Sequence, residues 1–138
     1  MTAKEYLKQY EYAEKRIARL THEYEQEAML IDAVRSLSDN DGMPHGSGIS
    51  KPTEDKAIRL ADKKLRLIDA KLEAIRIRQD LFDFIDSIDG VEGDVLCERY
   101  INLRSWEEIC CVIGYGGAQT HRYHRRALQI VSEKLEIE

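Results

Sequence analysis

Between Tyr6 and Leu37 the chain has no Gly or Pro, and apolar residues recur at Tyr10, Ala13, Ile17, Leu20, Tyr24, Ile31 and Val34. An α-helix turns by about 100° per residue, so steps of three and four gather these side chains into one stripe. A strand, with its period of two, would scatter them over both faces. Glu27 interrupts the stripe, and the remaining positions are mostly Lys, Arg, Glu and Gln. The spacing therefore predicts a long amphipathic helix that packs on a neighbour.

Ser38, Asp39, Asn40, Asp41 and Gly42 stop this helix, and Met43 to Gly48 continue as loop, because Gly and Pro supply turn geometry that a helix cannot hold. A connection over 39–53 is expected, either a plain connector or a loop that touches DNA or a partner. Pro52, Thr53, Glu54 and Asp55 then read as a helix start. The second helix is expected to run to about Ile88, with a stripe at Ile58, Ala61, Leu65, Ile68, Leu72 and Ile75, broken at Gln79 and resumed at Phe82. Two such helices with one connector form an antiparallel helical hairpin over 1–89. Side chains off that seam, such as Tyr6, Leu67 and Ile77, would be left wet, so a homodimer is expected to cover them.

Past this hairpin the elements become short. Asp89 to Gly93 is expected to end the second helix, with Gly90 and Gly93 as C-cap and turn, and Asp94 to open a helix over 95–100. Ser105 is placed to cap the next helix, with Glu108 three residues on; Ile109, Val112 and Ile113 are expected inward, and Gly114 closes the helix. Tyr115, Gly116 and Gly117 make a corner. A final helix follows over 118–135, with Tyr123, Ala127, Leu128 and Val131 as its apolar face and His121, Arg122, Arg125 and Arg126 elsewhere. Trp106 is expected at the edge of the core, and Cys110 as a packed thiol at the crossing of the two helices.

The net charge of −5 argues against coating nucleic acid by charge alone, since nonspecific affinity comes from neutralising phosphates. Basic side chains are nevertheless concentrated at Arg122, Arg125 and Arg126, with His121 and His124 beside them. Helix, glycine corner and basic helix together read as a helix-turn-helix, in which the second helix enters the major groove of duplex DNA.

Leu96 with Arg99 and Tyr100, the run Ser105-Trp106-Glu107-Glu108-Ile109, Gly114-Tyr115, and Arg122 with His124, Arg125, Ala127 and Leu128 resemble the fourth conserved region of RNA polymerase sigma factors. The resemblance covers about 81–135. The layout as a whole is similar to phage and prophage transcriptional regulators of the ArpU and RinA type. It implies an all-α fold: a long antiparallel helical hairpin followed by a sigma region-4-like helix-turn-helix over 81–138, which shares the end of the second long helix. It also implies a sequence-specific regulator of transcription, with Gln119, His121 and Arg122 toward bases and Arg125, Arg126 and Arg104 toward phosphates. Sigma-like units put Ser or Thr at the start of the recognition helix, whereas Gly116 and Gly117 stand here. Two alternatives stay open: a module that contacts RNA polymerase or another factor, and a DNA-packaging protein like a small terminase subunit.

Several functions have no support in the residues. Cys97, Cys110, Cys111, His121 and His124 lack the paired short spacings of a zinc site, so neither metal nor cofactor is expected, and the thiols are expected free. No nucleophile and base pair, phosphate loop or carboxylate cluster suggests an enzyme. No apolar run approaches the roughly 20 residues that span a bilayer, and the N-terminal stretch lacks an apolar signal core, so a cytoplasmic protein with no membrane partner is expected.

Overall fold

The computed structural model of the protein describes residues 1–39 and 51–136, which leaves most of the connection expected over 39–53 outside the described residues. Among the described residues all regular structure is helical: α1 (Ala3–Leu7), α2 (Gln9–Asp39), α3 (Lys51–Asp86), α4 (Val91–Leu96), a π-helical turn (Cys97–Ile101), α5 (Trp106–Ile113) and α6 (Gly117–Lys134). No helix among them is long and apolar enough to cross a membrane. Contacts divide the chain into two compact units, one of Met1–Glu14 with Glu73–Glu138 and one of Lys15–Leu72.

The first unit has its core where both ends of the chain meet. Thr2 caps α1: its hydroxyl accepts from the Glu5 amide at 3.2 Å, and the Glu5 carboxylate accepts from the Thr2 amide at 2.9 Å. Helical structure thus begins at Ala3, ahead of the stretch from Tyr6 that the apolar spacing marks as helix. Once α1 is so fixed, Ala3 and Leu7 are buried with Leu81, Ile85 and Ile88 of the third helix region and with Leu96, Tyr100, Ile101, Ala127 and Val131. Tyr6 packs edge-on to Phe84 at 5.2 Å between ring centres.

Gly93 departs from its expected role as a turn residue. It lies buried inside α4, and a Cβ there would run into the Ile88 carbonyl oxygen, so the close approach of α4 to the end of α3 requires glycine. Helix α4 accordingly starts at Val91, ahead of the expected Asp94. The widened turn that follows carries Tyr100 and Ile101 into the core, with the Asn102 amide donating to the Cys97 carbonyl.

In the second unit, Ile17, Leu20 and Tyr24 of α2 are half-buried and Ile31 is buried, along the expected stripe, whereas Val34 is exposed. Glu27, which breaks the stripe in sequence, accepts a hydrogen bond from Lys63 of α3 at 3.3 Å, and Glu23 lies 3.5 Å from the same ammonium. The stripe expected of α3 is overturned. Ile58, Leu65, Ile68, Leu72, Ile75 and Phe82 are exposed, while Leu67, Ala70, Ala74 and Leu81 are buried and Ile77 is half-buried. Ala70 and Ala74 are buried and Lys63 has carboxylate partners on α2, so the less apolar of two stripes is the one turned inward.

Leu7 is fully buried, so Leu7→Ala should lower the stability of the first unit by about 2–5 kcal/mol, read by urea denaturation. A loss below about 1 kcal/mol would mean that α1 does not belong to that core.

Candidate nucleic-acid interface

Helices α5 and α6 and the corner between them set the geometry of the basic face. The Ser105 hydroxyl accepts from the Glu108 amide at 3.3 Å and starts α5. Gly114, at φ 77°, ends it in the left-handed conformation that glycine adopts without penalty. Of the three residues expected inward, Ile109 is fully buried and Ile113 half-buried, but Val112 is 52% exposed. The short α5 spans only about two turns, so its buried face holds Ile109 and little else.

Gly116 is the N-cap of α6 and has no side-chain cap, in keeping with the glycine pair read from the sequence. Support comes instead from Thr120, one turn in and fully buried. Its hydroxyl donates to the Tyr115 carbonyl and accepts from the Cys110 thiol, each at 3.4 Å, and so ties α6 to both the corner and α5. Cys110 is thus half-buried at the crossing of the two helices, and Cys97, Cys110 and Cys111 are free.

The buried face of α6 is Thr120, His124, Ala127 and Val131. His124 was grouped with the basic residues in the sequence; the structure corrects this. Its Nε2 shares a 2.8 Å hydrogen bond with the Tyr100 hydroxyl, and its ring lies 4.7 Å from Trp106. Burial, with Lys4, His121 and Arg99 nearby, holds the imidazole at about 4, below its usual 6.5. The Tyr100 phenol is pushed up to about 12, chiefly by burial. Near neutral pH both groups are uncharged, and His124 offers no charge to a ligand. Trp106 is half-buried, with Arg99 4.8 Å over its ring and His121 at 4.5 Å.

The expected contact residues fall into three groups. Arg122 and Arg125 are exposed on the side of α6 opposite the buried face, and Gln129, which the sequence does not single out, continues that face one turn on. Gln119 and Arg126 lie along one edge: Gln119 accepts from Arg122 at 3.4 Å, and Arg126 pairs with Glu92 at 3.3 Å. His121 lies along the other edge, against Trp106. Arg104, in the connector before α5, lies 2.6 Å from Glu98 as an ion pair. That carboxylate oxygen is buried, and the Arg104 guanidinium is the charged group beside it. Among the described residues no cluster of His, Cys, Asp and Glu could hold a metal ion.

No family model matches the chain, and neither a curated protein nor a solved structure matches it.

The depressed His124 value fixes a pH dependence. As pH falls below 6.5 the unfolded chain takes up the proton first, so this contribution is complete above 6.5 and is lost on the way to about 4. Comparison with His124→Gln by urea denaturation at pH 7 and pH 4.5 should show the unmodified protein losing about 2–3 kcal/mol relative to the variant. An unchanged difference would exclude a buried neutral imidazole. Gly116 has an ordinary φ of −71° and open space where a Cβ would stand. Gly116→Ser should therefore raise stability by about 0.5–1 kcal/mol, seen as a higher Tm.

Proposed function

We propose that the protein is a sequence-specific duplex DNA-binding regulator of transcription, of the phage or prophage type that its sequence resembles. Helix α6 would be the recognition helix of a sigma region-4-like helix-turn-helix. The observation that carries this reading is the two-sidedness of α6: Thr120, His124, Ala127 and Val131 are buried, while Arg122, Arg125 and Arg126 are exposed behind a left-handed glycine corner. Arg122 has the reach and the planar donors to read a guanine edge, with Gln119 and His121 at its sides. Arg125 would hold phosphate, joined by Arg126 and Arg104 once these leave Glu92 and Glu98.

In the same proposal α2 and α3 form an antiparallel helical hairpin. Two observations favour it: Tyr6, in α1 just ahead of α2, meets Phe84 late in α3, whereas Glu23 and Glu27 further along α2 meet Lys63, so the α3 partners descend as residue numbers rise. A second reading, contact with RNA polymerase or another protein, is favoured by an open groove where exposed Val112 meets Val91, Cys97, Ile113, Asp94 and Glu98. Apolar walls with two carboxylates suit a basic, apolar side chain of a protein more than a nucleic acid.

Selection of bound sequences from random duplexes, followed by anisotropy titrations at several salt concentrations, tests the DNA reading. Arg122→Ala should cost about 1–3 kcal/mol on the selected site and relax its sequence preference, while Arg125→Ala should weaken all sequences alike and lower the salt slope by about 1. Absence of salt-dependent binding at low ionic strength would reject this function.

A further inference from the structure

Helix α3 carries two apolar stripes, and the chain's own packing uses one. The inward stripe contains Leu67, Ala70 and Ala74, each under 9% exposed. The other contains Ile58, Leu65 and Leu72 at 60%, 60% and 61% exposure, with Ile68 at 43% and Ile75 at 65%. With Ile58 at position a of a heptad, Leu65 and Leu72 also fall at a, and Ala61, Ile68 and Ile75 at d. The a/d seam and the inward stripe lie on nearly opposite sides of the helix, so a partner on the seam leaves the inward contacts of the described residues in place.

Charge chooses the partner and its direction. Lys64 and Lys71 occupy g positions, and Asp62 and Asp69 occupy e positions, so the seam has a basic margin and an acidic one. In a parallel pair of two such helices each g residue faces the e residue five places on in the other, which sets Lys64 against Asp69 of the second copy. An antiparallel pair would set Lys64 against Lys71 and Asp62 against Asp69. Lys71 meets Arg76 in the parallel pair, but Arg76 is already joined to Glu73 of its own helix. At the centre of the seam, where Lys64 and Asp69 flank Leu65 and Ile68, the charges complement each other in a parallel pair and repel in an antiparallel one, which suits the seam to a second copy of itself.

We infer that the protein forms a parallel homodimer through the a/d seam of α3, centred on Leu65, Ile68 and Leu72. This differs from self-association through Tyr6, Leu67 and Ile77, which the chain's own packing half-buries or buries. It does not depend on DNA as the ligand. Parallel pairing brings the C-terminal ends of the two α3 helices to the same end of the dimer.

Sedimentation equilibrium of the full chain without DNA tests this. The unmodified protein should sediment at twice the chain mass, and Leu65→Glu with Leu72→Glu should weaken association by at least about a hundredfold while helical circular dichroism is kept. Lys64→Glu, an exposed change tolerated by a single helix, should weaken association by roughly fivefold, and adding Asp69→Lys should restore it. A monomer at all concentrations up to about 100 µM overturns the inference. So does a dimer indifferent to the Leu65 and Leu72 changes, and tighter association of Lys64→Glu overturns the parallel direction.

Discussion

The rotation of α6 about its own axis is fixed by two buried polar side chains, and the chemistry of its outer face follows from that. A buried hydroxyl or imidazole without a partner is costly, so Thr120 and His124 must each meet theirs, and those partners stand at separate places. Thr120 reaches the corner carbonyl and the Cys110 thiol; His124 reaches Tyr100. Apolar contacts alone would tolerate some rolling of the helix, whereas hydrogen bonds made from two positions one turn apart do not. Tyr100 in turn comes from the π-helical turn, which enters the core beside Leu96 and Ile101.

The same polar residues explain what was and was not legible in the sequence. Helix content, the Ser105 cap, the Gly114 stop and the order of the short elements could be read because each depends on residues within a few positions. His124 could not, because its neighbours in sequence are basic and only a residue 24 positions away makes it neutral. On α3 the bulkier stripe won the sequence reading, since hydrophobic weight is what a periodicity detects. Packing chose Ala70 and Ala74 instead, helped by a Glu27 and Lys63 pair that looks, on either helix alone, like an interruption. The cap at Thr2 was within reach: a Thr followed three residues later by Glu is a helix-start signature, but the apolar stripe begins only later. Of the six candidate contact residues, Gln119, His121, Arg122, Arg125 and Arg126 share one helix, while Arg104 lies on the connector. The acidic partners of Arg104 and Arg126 were not foreseeable from spacing.

Those acidic partners bear on an acidic protein that carries a basic helix. Glu92 and Glu98 each hold an arginine at the margin of the face, leaving Arg122 and Arg125 as its most outward cations. An anion that engages Arg126 or Arg104 must compete with a carboxylate already in place, so weak, indiscriminate contacts gain less than a ligand that meets the whole face. The arginine of each pair is exposed while its glutamate is largely covered, and the competition acts in the same direction at both margins.

The placement of α1 has a consequence for the order in which the chain can fold. Ala3 and Leu7 share a core with Ala127 and Val131, so contacts in that unit join the two extremes of the sequence. During synthesis the first turn emerges early and its core is completed only when α6 has been made, whereas the segment Lys15–Leu72 holds both sides of its own contacts sooner. The core beneath the basic face is therefore completed later than the contacts within Lys15–Leu72.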